Sequence, residues 1–185
     1  MGHPGSYAGR PPREVFETCA KAMEKVVESM RSLSLTKVHL APEMMGKPSQ
    51  FGSLEEVLAL CERVDLTKPN VDWAHLHARD RGRFKTIDDV RKVMDTIEKR
   101  LGTNALKNLH CHYSHIEFTD KGGERRHHNL DATGYGPDFK FIARLVAERD
   151  LKTVIACETP NLDLDAVKLR DMVFTEMKAK GGILK

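Results

Sequence analysis

Several things are missing from this 185-residue sequence, and each absence narrows its class. No run of residues is apolar enough for a membrane-spanning helix, so no membrane partner is expected. No signal-peptide pattern opens the chain, and the expected location is cytoplasmic. The four cysteines, Cys19, Cys61, Cys111 and Cys157, are scattered and form no Cys-x-x-Cys pair. They suit reduced packing thiols rather than a disulfide frame or a cysteine-held zinc. No internal repeat or low-complexity run appears, so residues 1–185 are expected to form one domain with a real core. Nor is the charge lopsided: 30 basic against 27 acidic residues leave +3, which permits a nucleic-acid partner but does not argue for one. The single tryptophan, Trp73, is expected to pack inside.

What the chain has instead is histidine. Five of its nine histidines fall in HCHYSHIEFTDKGGERRHH, between His110 and His128. Alternate residues of a strand share a face, so His110 and His112 would point the same way, about 7 Å apart. Neighbouring neutral imidazoles are natural metal donors. The plain alternative is a polar surface strand whose histidines only titrate, and the rest of the chain decides between the two.

Apolar periodicity and capping residues predict helices over 12–31, 54–64, 86–101, 138–149 and 163–179. Ser53 with Glu56 forms a capping box for the second, Thr86 caps the third, and Gly102 closes it. Strands are predicted over 36–43, 71–78, 108–115 and 153–158, with a long loop from there to Gly136 after the third. Strands that alternate with helices imply right-handed βαβ units and a parallel sheet. Each strand carries a metal-ligand type near its C-terminal end: Glu43, then Asp72 with His75, then His110, then Glu158. That is the end at which a (β/α) barrel gathers its functional groups. A carboxylate buried there without a partner would be costly, so a shared metal site is expected.

The motifs HPGSY, PEMMGKPSQFGS, VDWAHLHAR, LHCHYS, RHH, GPDF and ACETP run in order over nearly the whole chain. Together they resemble the endonuclease IV family, zinc-dependent DNA-repair nucleases within the xylose-isomerase-like TIM barrels. The fold implied is an α/β barrel of (β/α) TIM type. It is incomplete here, with about four strands and five helices against the family's eight strands, and corresponds to the C-terminal part. The stub at His3 would be a further strand. Open sheet edges and an uncovered inner face then call for a preceding half of the barrel or a second copy of this chain.

The resemblance also implies a site. His3 resembles a ligand of a first zinc, and Glu43 the carboxylate bridging it to a second. Asp72, His110 and Glu158 resemble the second zinc's remaining ligands, while His75 and His127 resemble ligands of a third. Two or three zinc ions are implied, and manganese or another divalent ion would suit the same donors. Such ions activate a water against phosphorus and stabilise the leaving oxygen, with Glu43, Asp72 and Glu158 as the catalytic carboxylates. The reaction implied is hydrolysis of the phosphodiester on the 5′ side of an abasic site in DNA. Arg79, Arg81, Arg83, Lys121, Arg125 and Arg126 would rim the site and meet phosphates. They read equally well as solvated loop charges.

One departure concerns the third ion. The family reads Asp-Arg-His-His where this chain reads Arg125-Arg126-His127-His128. Glu124, one residue earlier, takes the carboxylate's place, or the third site is weak or empty. His39 and His77 read as packing or supporting groups, and His115 and His128 as neighbours of the ligands. Two other functions stay open. A sugar isomerase or epimerase of the same superfamily needs only two Glu, an Asp and a His. An inactive fragment with a vestigial site needs nothing further.

Overall fold

The computed structural model describes residues 2–181; Met1 and residues 182–185 of the expected 1–185 domain lie outside the description. Chain order is β1 (Gly5–Ser6), α1 (Pro12–Ser32), β2 (Gln50–Phe51), α2 (Leu54–Arg63), β3 (Asn70–Asp72), α3 (Trp73–Arg79) and α4 (Ile87–Leu101). Then come a short 3-10 turn (Thr103–Leu106), β4 (Leu109–Tyr113), β5 (His115–Thr119), β6 (Gly123–His128), α5 (Phe139–Glu148), β7 (Thr153–Cys157) and α6 (Asp163–Ala179).

The architecture is the α/β arrangement anticipated, with a parallel sheet that does not close into a barrel. Its order is β3-β4-β7, both pairs parallel. Single parallel bridges extend it on the β3 side, from Asn70 to Glu43 and from Pro42 to Gly2. The expected strand over 36–43 is therefore present only as isolated bridges, because Pro42 has no N–H to give a ladder. The bridge at Gly2 is the stub expected beside His3. On the other side β7 is the edge strand, and Val154 on it is exposed.

Five expected helices are found with boundaries shifted by a residue or two, each started by local chemistry. Pro11 and Pro12 open α1, and the capping boxes Ser53/Glu56 and Thr86/Asp89 open α2 and α4. Asp138 caps α5 by accepting from the backbone of Lys140. The buried stripe of α1 runs through Val15, Cys19, Ala20, Val27 and Met30, and Val26 falls outside it. Beneath the sheet, Trp73, Val93, Ile97, Leu109, Tyr113 and Ile142 belong to one main core.

Two local readings need correction. The segment 71–78 is not one strand. It leaves the sheet at Asp72 and becomes α3, because the Asp72 carboxylate accepts from the His75 backbone N–H at 2.8 Å and caps a helix. All residues from Trp73 to Ala78 are buried, so no exposed face marks the helical period. The expected long loop after β4 is instead the antiparallel hairpin β5–β6. Its face toward α3 packs Ile116 and Phe118 on Ala74 and Ala78. Among the described residues no helix is long and apolar enough to cross a membrane.

Candidate metal centre

The C-terminal ends of the parallel strands bring three carboxylates round one imidazole. His112 Nδ1, on β4, lies 3.2 Å from Glu43 Oε1, 3.0 Å from Glu158 Oε1 and 3.6 Å from Asp72 Oδ2. Single ligand atoms of Glu43, Asp72 and His112 all lie within 4.8 Å of one another. On the outer side, His3 Nε2 stands 3.5 Å from Glu43 Oε2. The side chains grade from a sealed floor to an open mouth: Asp72 is 1% exposed and His112 2%, against 35% for Glu158 and 62% for His3.

His110 is not in this group, which corrects the expectation. It shares the face of His112, with ring centroids 5.3 Å apart, but sits two residues nearer the start of the strand. In register it pairs with Asn70, whereas His112 pairs with Asp72. The spacing of His110 and His112 could not choose between them, and the position of Asp72 does.

A second group lies beside the first. His75 of α3, Glu124 and His127 of β6 also offer ligand atoms within 4.8 Å of one another. His75 Nδ1 donates to the Met44 carbonyl at 3.0 Å and approaches Asp72 Oδ2 at 3.1 Å, while its Nε2 faces Glu124 Oε2 at 3.5 Å. His127 Nδ1 donates to the Glu158 carbonyl at 3.0 Å.

The charges explain the proton affinities. Burial pulls His112 down, but the carboxylates of Asp72, Glu158 and Glu43 outweigh it and push the imidazole up to about 11. His75 likewise rises to about 9, burial being overcome by Glu43, Asp72 and Glu124. Burial raises Glu43, yet its bonds to His112 and His75 leave it well below the usual carboxylate range. A divalent cation fits this donor set. Asp72 Oδ2 is buried without a hydrogen-bond partner and faces Nδ1 of both His75 and His112, and carboxylate oxygen with imidazole nitrogen is a zinc-type set. All four cysteines are free thiols, and neither donor group includes one.

The other singled-out residues scatter. His77 is core: it stacks on Phe84, its Nδ1 accepts from the Phe84 N–H, and burial holds it down to about 4. His39, expected to be packed, is exposed near Lys68. His128 stacks on Tyr135 at 3.7 Å and meets Glu117 at 3.2 Å, facing away from the donor groups. His115 is half-buried. Arg79 is not a free rim cation: its guanidinium donates to the carbonyls of Met45, Lys47 and Gln50 and pins the loop before β2. Arg83 pairs with Asp80, and Arg125 with Glu117 at 3.0 Å. Arg81, Lys121 and Arg126 lie exposed. Two residues had no advance signal as contacts of this centre: Asn70, whose amide touches His112, and Gly46, against which Glu124 packs.

The fold and this clustered donor set agree with the sequence comparisons. The chain belongs to the xylose isomerase-like TIM barrel family, whose pattern matches residues 1–176. It is 33% identical over 167 residues to an uncharacterized protein of Methanocaldococcus jannaschii, covering 90% of this chain and 59% of that protein. It is 27% identical over 166 residues to a probable endonuclease 4 of Mycoplasma genitalium, covering 88% of this chain and 54% of that protein. A probable endonuclease 4 of Mycoplasma pneumoniae is 25% identical over 164 residues, covering 86% and 53%. The chain thus spans between half and three-fifths of the length of these relatives.

Proposed function

We propose that this chain carries the metal centre of a divalent-metal-dependent endonuclease that hydrolyses the DNA phosphodiester on the 5′ side of an abasic site. The observation that carries the reading is the convergence of Glu43, Asp72 and Glu158 on His112, with His3, His75 and His127 at the same end of the sheet. The relatives named probable endonuclease 4 support it. Glu43, Asp72, His112 and Glu158 would hold zinc, with His3 beside Glu43. When bound, zinc supplies Lewis acidity toward a phosphate oxygen and toward an attacking water.

The chain's own residues do the rest. Asp72 and Glu43 close the floor against bulk water, which strengthens every electrostatic interaction above it. Glu43 is held between His75 and His112 and keeps an oxygen toward His3 at the mouth. Arg81, Lys121 and Arg126 are the exposed cations left to meet DNA phosphates, so binding would weaken steeply with salt. The exposed edge of β7 is where further barrel strands would add, and activity is assigned to the completed barrel rather than to this chain alone. A sugar isomerase would use the same four residues, Glu43, Asp72, His112 and Glu158, but it has no need of His3, His75 and His127 beside them. The cytoplasm is the proposed location.

The test uses duplex DNA with a tetrahydrofuran abasic analogue and zinc, with the chain alone and extended by added N-terminal barrel strands. The extended protein is expected to cut 5′ of the analogue, and chelation or Glu43→Gln to abolish cutting. Aldose–ketose isomerisation without cutting, or cutting that survives Glu43→Gln, would overturn the reading.

A further inference from the structure

We infer that Glu124, brought into place by a one-residue β-bulge at Arg125, is the carboxylate ligand of a second metal held with His75 and His127. The inference rests on the metal-centre reading above and assigns that centre's next ligand.

In a regular strand Glu124, Arg126 and His128 would share one face, and Arg125 with His127 the other. The ladder of β5 and β6 breaks this alternation. Glu117 pairs with Arg126 and Phe118 with Glu124, leaving Arg125 as an extra residue in β6. The extra residue turns the strand, so Glu124 joins His127 on the face toward α3. Arg125 is left on the other face, bound to Glu117, which also meets His128. A carboxylate displaced by one position in sequence is thereby restored in space.

The neighbours are shaped for it. A Cβ at Gly46 would lie 2.7 Å from both the Cβ and Oε2 of Glu124 and 3.1 Å from His75 Cδ2, so only glycine lets the carboxylate reach this position. The Glu124 backbone N–H donates to the Gly46 carbonyl at 3.1 Å, which fixes where the side chain leaves β6. Both imidazoles are turned correctly. His75 and His127 spend Nδ1–H on backbone carbonyls, so Nε2 of each is the nitrogen left to bind a cation. Two imidazole nitrogens and one carboxylate suit zinc better than magnesium or calcium. Three protein donors would leave a tetrahedral zinc one position for water or substrate.

Zinc per chain is counted by mass spectrometry after equilibrium dialysis against buffered zinc alone. Glu124→Gln should hold one zinc fewer than the wild type. Arg125→Asp should change nothing, and Glu124→Gln with Arg125→Asp should not recover the lost ion, since position 125 faces away. Deleting Arg125 should keep the wild-type count, because Glu124 and His127 then stand two apart on a flat strand. If the deletion does not fold, the substitutions decide alone. A wild-type count in Glu124→Gln, or recovery in the double variant, would overturn the assignment. Glu43→Gln separates the two readings: no zinc loss there with loss in Glu124→Gln sinks the buried centre but not this ligand, and the reverse pattern sinks only this ligand.

Discussion

The Asn70 side chain lies against His112, with Nδ2 3.3 Å from the imidazole Nε2, while Asn70 Oδ1 is buried without a partner. For Nδ1 of a neutral His112 to bind metal, Nε2 must carry the proton and find an acceptor. Turning the Asn70 amide over supplies one and gives Oδ1 its missing bond. Asn70→Ala is therefore expected to weaken zinc binding at the buried centre by about 10- to 100-fold, as other losses of outer-shell partners do. Competition with a chromophoric chelator measures it; an unchanged affinity would remove Asn70 from the account.

His112→Ala and His110→Ala are expected to part company. The first removes the imidazole within reach of Glu43, Asp72 and Glu158, and zinc is lost. The second removes a ring at the start of β4, and the zinc count stays. Equal loss in both would return His110 to the site.

The contrast shows what was legible beforehand. Five helices, the α/β class and the gathering of Glu43, Asp72 and Glu158 at strand ends all follow from periodicity, capping residues and position. Which of His110 and His112 reaches the centre does not, because both share a face and only the pairing of Asp72 with His112 decides. Nor did alternation reveal that Asp72 both ends a strand and caps α3, since every residue to Ala78 is buried. Glu124 was legible only as a candidate: a bulge is a property of two paired strands, and β6 alone does not show it.

Arg79 offers a stability test. Its guanidinium satisfies three carbonyls in the loop that places Glu43 and Gly46. Arg79→Met should cost about 1–3 kcal/mol by leaving acceptors unpaired, read from urea unfolding. It should leave the salt dependence of DNA binding by the extended protein unchanged. Arg126→Gln should do the opposite, lowering the slope of log affinity against log salt by about 1 with no loss of stability.

Zinc uptake should release protons. Metal-free His112 and His75, raised to about 11 and about 9 from an ordinary 6.5, hold protons at neutral pH that zinc must displace. With folded values raised, their stabilisation of the metal-free protein is complete below 6.5 and is lost as pH rises through the folded values. Zinc titrated into weakly buffered protein at pH about 7.5 should acidify it, and alkaline pH should lower the metal-free urea midpoint. No proton release would contradict the charge state inferred for these histidines.

The central claim is a zinc held by carboxylates and imidazole at the C-terminal ends of the strands. X-ray absorption at the zinc edge of the loaded protein reads it directly. The zinc is expected to show a nitrogen and oxygen shell at about 2.0–2.1 Å with imidazole scattering and no sulfur, diminished in Glu43→Gln. A sulfur shell at about 2.3 Å, or a spectrum indifferent to Glu43→Gln, would place the metal elsewhere and contradict it.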